Sequence, residues 1–100
     1  MAGFSVHKLM EQTIDLSELK KLLPERATIE FKKKKGQTGT SLEVSVKIVP
    51  YLTEKEHDAT VKSIIELFGE DLLEVYTETT GYHFYVYLRM SKTQPTTVSI

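Results

Sequence analysis

One hundred residues with a formal net charge of -1, 40% of them hydrophobic, are enough for one domain with its own core. The chain has no cysteine, which excludes disulfides, thiolate zinc sites, iron–sulfur clusters and thiol nucleophiles together. The near-neutral balance is unlike that of a dedicated duplex-DNA binder, and no apolar run is long enough for a transmembrane helix.

In chain order, residues 1–13 have weak periodicity and read as a flexible N-terminal arm. The first five, Met1 to Ser5, show neither the basic nor the apolar region of a secretory signal, so a cytoplasmic location is expected. Leu16, Leu19, Leu22 and Leu23 form one apolar stripe, which predicts a helix over 16–23. Asp15 and Glu18 have the spacing of a capping box, with Ile14 and Leu19 as a hydrophobic staple, and Pro24 stops the helix. From Ala27 to Lys34, Ala27, Ile29 and Phe31 alternate with Thr28, Glu30 and Lys32, the period of a half-buried strand. Turn chemistry fills Lys35 to Thr40. Ser41 to Val49 alternates again, with Leu42, Val44, Val46 and Ile48 inward, and the two runs make a hairpin.

Thr53 starts the main helix, with Glu56 placed for a reciprocal capping box. Val61, Ile64, Ile65 and Phe68 line its apolar face, and Gly69 ends it. Leu73, Val75 and Thr77 then point inward, alternating with Glu74, Tyr76 and Glu78. After the turn Thr79-Thr80-Gly81 the last strand puts Phe84, Val86, Leu88 and Met90 inward and His83, Tyr85, Tyr87 and Arg89 outward. Ser91 to Ile100 is polar and reads as a disordered C-terminal tail.

The expected fold is therefore α+β in the order α-β-β-α-β-β. It is a single domain over 14–90: a four-stranded antiparallel sheet with both helices on one face. The two halves look alike, each a helix feeding a hairpin, so a pseudo-twofold αββ repeat is one arrangement and a simple meander the other. The element order is similar to that of the LAGLIDADG homing endonucleases, whose hairpins form a DNA-binding saddle. The stretch before the first hairpin, Leu22-Leu23-Pro24-Glu25-Arg26, lacks that family's signature acidic motif, so the likeness is one of element order.

The outer sheet face is the candidate site. If the helices cover only one face, Tyr76, Tyr85 and Tyr87 are exposed together with His83 and Arg89, within cross-strand reach of one another. Tyrosine suits recognition because it joins a large ring and a polar tip with few rotamers to freeze. The bland reading is that Tyr is a good strand former. The second feature is Lys32-Lys33-Lys34-Lys35 entering a Gly-containing turn. With Lys47, these lysines could contact phosphates, or they could guard a hairpin edge against aggregation. The segment is not a P-loop, because it leads into a strand.

No catalytic residue, metal site or cofactor is expected. His7, His57 and His83 are scattered, and His57 and Asp58, adjacent on a helix, should diverge. Charge is asymmetric: seven basic residues against two acidic over 20–35, and eight acidic against two basic over 54–78. The leading expectation is a non-enzymatic domain that binds a protein partner, or itself as a homo-oligomer, through Tyr76, His83, Tyr85, Tyr87 and Arg89. The alternative is a nucleic-acid-binding domain with Lys32, Lys33, Lys34, Lys35 and Lys47 on phosphates and the tyrosines stacking on bases. A small virus-type inhibitor of a host protein is a further alternative. No membrane and no small-molecule cofactor enters any of these readings.

Overall fold

The computed structural model describes residues 12–37, 39–91 and 94–100. It is an α+β domain with a four-stranded antiparallel sheet and a small parallel sheet. The elements are β1 (Gln12–Asp15), α1 (Ser17–Leu22), β2 (Ala27–Gly36), β3 (Gly39–Ile48), α2 (Glu54–Phe68), a 3₁₀ turn (Gly69–Asp71), β4 (Leu72–Thr77), β5 (His83–Arg89) and β6 (Thr96–Ser99). The main sheet runs β2-β3-β5-β4. Its two hairpins therefore meet through their second strands, whereas a meander would set β3 beside β4.

Alternation produces the layers. Paired residues on adjacent strands share a face, so the pairs Leu42–Leu88, Val44–Val86 and Val46–Phe84 of β3 and β5 all point the same way. All six are buried, with Ile48 beside them. Leu16, Leu19 and Leu23 from the first helical segment and Ile64 from α2 close the core over them. The capping box of α2 forms as its spacing predicts: the Thr53 hydroxyl accepts the N–H of Glu56 at 3.2 Å, and the Glu56 carboxylate accepts the N–H of Thr53 at 2.9 Å. Gly69 ends the helix with a φ of +52°.

Several local expectations are corrected. α1 starts at Ser17 without a capping box. The N–H of Leu16 is instead bonded to the Ser99 carbonyl at 2.7 Å, the Asp15 carboxylate takes the N–H of Ser17 at 2.9 Å, and Glu18 pairs with Lys21. Ile65, expected inward, is 47% exposed, since at 100° per residue it lies beyond the flank of the stripe centred on Ile64. The β2–β3 ladder runs further than expected, to Gly36 facing Gly39. In β4 a bulge separates Leu72, opposite Leu88, from Glu74, opposite Tyr87. Leu72 takes the inward position, and Leu73, expected there, is the extra residue at 47% exposure.

The tail expected to be disordered over 91–100 contains β6, which pairs in parallel with β1 (Ile14 opposite Val98). Val98 packs on the core. The Gln12 side chain ties the junction together: its amide donates to the Arg89 carbonyl at 3.1 Å and accepts the N–H of Ser91 at 2.7 Å and the hydroxyl of Thr96 at 3.0 Å. The arm expected over 1–13 lies outside the described residues as far as residue 11, and Gln12 and Thr13 belong to β1. No helix among the described residues is long and apolar enough to cross a membrane.

Gly81 locks the loop before α2 to the β4–β5 turn. It has a φ of +76°, and a Cβ there would lie 2.6 Å from the Leu52 carbonyl oxygen, which belongs to the residue whose N–H Gly81 accepts at 2.9 Å. Gly81→Ala is expected to cost about 2 kcal/mol or more, combining left-handed strain with overpacking. Gly69→Ala, with open space around its Cβ, should cost clearly less. Urea unfolding of the two variants checks the order, and equal losses would contradict it.

Candidate interaction surface on the open sheet face

Among the described residues no helix lies on the second face of the main sheet, and the strand registers order its side chains into rows. One row runs Thr28, Lys47, His83; the next Glu30, Ser45, Tyr85, Tyr76; the third Lys32, Glu43, Tyr87, Glu74. Lys34, Ser41 and Arg89 make a fourth. The pleat requires this arrangement, because every residue between these positions on β3 and β5 is in the core.

Aromatic rings join across the rows. Tyr76 stacks on Tyr85 at 5.9 Å between centroids, Tyr85 on His83 at 4.4 Å, His83 meets the edge of Tyr82 at 5.9 Å, and Tyr82 meets Tyr51 at 5.2 Å. The result is a ribbon of five rings along β5 to the end of the sheet. Tyr76 is 50% exposed, while Tyr85, Tyr87 and His83 are half-buried. Tyr87 stands apart from the ribbon, with the Lys34 ammonium 5.6 Å from its centroid. Arg89 lies a row beyond, exposed at the strand end.

Charge is interleaved with the rings. The Tyr85 hydroxyl donates to Glu78 at 3.1 Å. The Ser45 hydroxyl and His83 Nε2 share a hydrogen bond of 2.7 Å, and Glu78 lies 4.0 Å from His83 Nδ1. Glu43 is only 7% exposed although it is on the open face. Its Oε2 has no hydrogen bond among the described residues and sits 3.6 Å from Lys34 Nζ. Burial raises the Tyr85 phenol above its ordinary value, and the Glu78 carboxylate raises it further. Burial also raises Tyr87, with Glu43 next.

Three depressions follow the face: about 540 Å³ between Lys34, Ser41, Leu73 and Tyr76, about 300 Å³ beside Glu30, Lys32, Glu43 and Tyr85, and about 150 Å³ beside Thr28, Lys47 and His83. A separate cleft of about 310 Å³ at the β1 end is bordered by Asp15, Glu18 and Asp71. Two of these acids are already engaged, by Ser17 and Lys21.

The structure thus brings Tyr76, His83 and Tyr85 into contact and puts Tyr87 and Arg89 on the same face. It divides the lysine run. Lys32 and Lys34 share the open face with Lys47, whereas Lys33 and Lys35, opposite Leu42 and Thr40, point to the other side. Sequence reasoning missed Glu43, Ser45, Tyr51 and Tyr82. Alternation did give the outward direction of Glu43 and Ser45, but Tyr51 and Tyr82 lie in loops, where no period exists.

The histidines serve different ends. His57 stacks on Phe84 at 5.4 Å and reaches the Thr77 hydroxyl at 3.2 Å. Contrary to the expected divergence it also meets Asp58 at 3.1 Å through Nδ1, the nitrogen not turned to Thr77. His7 lies outside the described residues. Among the described residues no three His, Cys, Asp or Glu side chains converge as metal ligands would. Ser45 and His83 make a nucleophile–base contact. However, Ser45 pairs with Glu30 on one side and Tyr85 on the other, so its backbone belongs to the ladder and presents no oxyanion donors. Compared with family models, curated proteins and solved structures, the chain matches none.

The raised phenols give a sign. A group with a raised folded pKa contributes stability that is fully present below its unfolded value, ordinarily 10.0 for tyrosine. That contribution is lost as pH rises through the folded value. Tyr85 and Tyr87 should therefore ionise later than an ordinary tyrosine in an ultraviolet titration, and Glu78→Gln should bring Tyr85 back toward the ordinary range. A single phenolate transition at the ordinary value would contradict the geometry.

Proposed function

We propose that the protein is a non-enzymatic interaction domain that binds a protein partner through the open sheet face. The ring ribbon from Tyr76 to Tyr51, running from a sheet face that no helix covers among the described residues into the adjoining loops, carries this reading. Large rings that keep polar tips are the side chains from which protein contacts draw most of their energy. The interleaved charges, Glu30, Glu43, Glu74 and Glu78 against Lys32, Lys34, Lys47 and Arg89, favour a partner of mixed charge and fix its orientation.

The same observations speak against phosphate contacts as the main role. A nucleic-acid surface needs a continuous basic track. Here two of the four consecutive lysines face away, Lys34 lies beside the Glu43 carboxylate, and Tyr85, one of the rings that would stack on bases, is bonded to Glu78.

Affinity capture with the native chain and with Tyr76→Ala tests the reading. Tyr76 is the most exposed ring of the β4–β5 pair, so its loss should leave folding intact and weaken capture by roughly thirtyfold, the effect of removing an interface anchor. Tyr85→Ala should act in the same direction. Unchanged capture by both variants would remove the reading. A mobility shift with single- or double-stranded nucleic acid at low salt, abolished by salt, would put the nucleic-acid alternative in its place.

A further inference from the structure

β2 is a ten-residue edge strand of the main sheet. It pairs with β3 without a bulge from Ala27 to Gly36, and among the described residues no segment pairs with its outer side. Which backbone groups face outward follows from the ladder. The N–H of Ile48 donates to Tyr82 on the β5 side at 2.8 Å, so its pair with Ala27 is a non-hydrogen-bonded one. Alternation then leaves the N–H and C=O of Ile29, Phe31 and Lys33, all odd-numbered, pointing away from the sheet. Phe31, in the middle, is 42% exposed.

We infer that two copies of the chain pair antiparallel along β2, with Phe31 opposite Phe31, joining two four-stranded sheets into one of eight strands. Antiparallel partners must match outward groups with outward groups, so odd residues face odd residues. Among the twofold registers this permits, centring on Glu30, Lys32 or Lys33 sets like charges face to face. Centring on Phe31 uses the strand most fully and matches unlike charges. Glu30 then faces Lys32 of the copy and Lys32 faces Glu30, while Lys33 faces Ile29 and Lys34 faces Thr28. Lys32 would lie between Glu43 of its own chain, its partner in register, and Glu30 of the copy. Opposite charges directly across an antiparallel pair stabilise it and like charges weaken it. The four lysines, gathered at one end of the strand, also disfavour a parallel or shifted pairing, where they would meet one another.

This contact uses the strand edge and not the ring ribbon; it shares Glu30 and Lys32 with the charge pattern of the open face but none of its rings, so Tyr76→Ala separates the two readings. Sedimentation equilibrium of the full chain should show a dimer of the 11.4 kDa chain, unchanged by Tyr76→Ala. Glu30→Lys and Lys32→Glu should each weaken self-association roughly tenfold or more. An equimolar mixture of the two should restore it, because the mixed pair again sets unlike charges opposite; restoration also shows that both variants fold. The chain has no cysteine of its own, so Phe31→Cys gives a direct reading of register. Hydrogen-bonded partners are about 5.5 Å apart between Cα atoms, within disulfide range, so Cys at 31 should cross-link to its copy and Thr28→Cys should not. A monomeric native chain, a mixture no more associated than either variant, or cross-linking at 28 rather than 31 would overturn the inference.

Discussion

Everything in this domain hangs on the pairing of β3 with β5. It joins the two hairpins, and its two faces do different work. One face supplies the pairs Leu42–Leu88, Val44–Val86 and Val46–Phe84 to the core; the other supplies Glu43–Tyr87, Ser45–Tyr85 and Lys47–His83 to the open surface. Because the side-chain period is two, these sets cannot be shifted separately. A slip of one residue would drive Tyr85 and Tyr87 into the core and expose Phe84 and Val86. The apolar pairs, each side chain worth about 1.5–3 kcal/mol on burial, therefore hold the surface in register as well as the fold.

A two-layer domain leaves the second face of its sheet to cover itself. Here the side chains do this by lying on one another: Tyr85 on His83, Tyr76 on Tyr85, Lys34 toward Tyr87 and Glu43. This explains how a glutamate at an outward position comes to be buried. It also explains why Tyr85 and Tyr87 are half-covered and their phenols shifted upward. Such a face is partly preorganised, which lowers the entropy lost when rings are fixed against a partner.

Much of this was legible in the residues. The alternation in 42–48 and 84–88 reproduces the inward set of the core strands. Thr53 and Glu56 mark the start of α2 by the reciprocal donors they satisfy, and Gly69 marks its end. The places that were not legible share a cause, since each depends on something distant in the chain. β1 and β6 are four residues each and pair across more than eighty positions of sequence, too short for periodicity to register alone. The bulge at Leu73 reflects the fit of β4 to Leu88 and Tyr87, and Leu72 and Leu73 are equally apolar in the sequence. The capping of α1 was displaced because Leu16 bonds to Ser99 at the far end of the chain.

By itself, then, the sequence determined which side of each main strand is apolar, where the long helix begins and ends, and that no thiol chemistry exists, because these follow from residue type and from neighbours within a turn or two. Only the tertiary structure decided that the hairpins meet through β3 and β5, that the four lysines are split between two faces, that Glu43 is covered, and that Tyr51 and Tyr82 extend the row of rings. Those outcomes turn on register and on packing between segments far apart in the chain, which local periodicity does not encode.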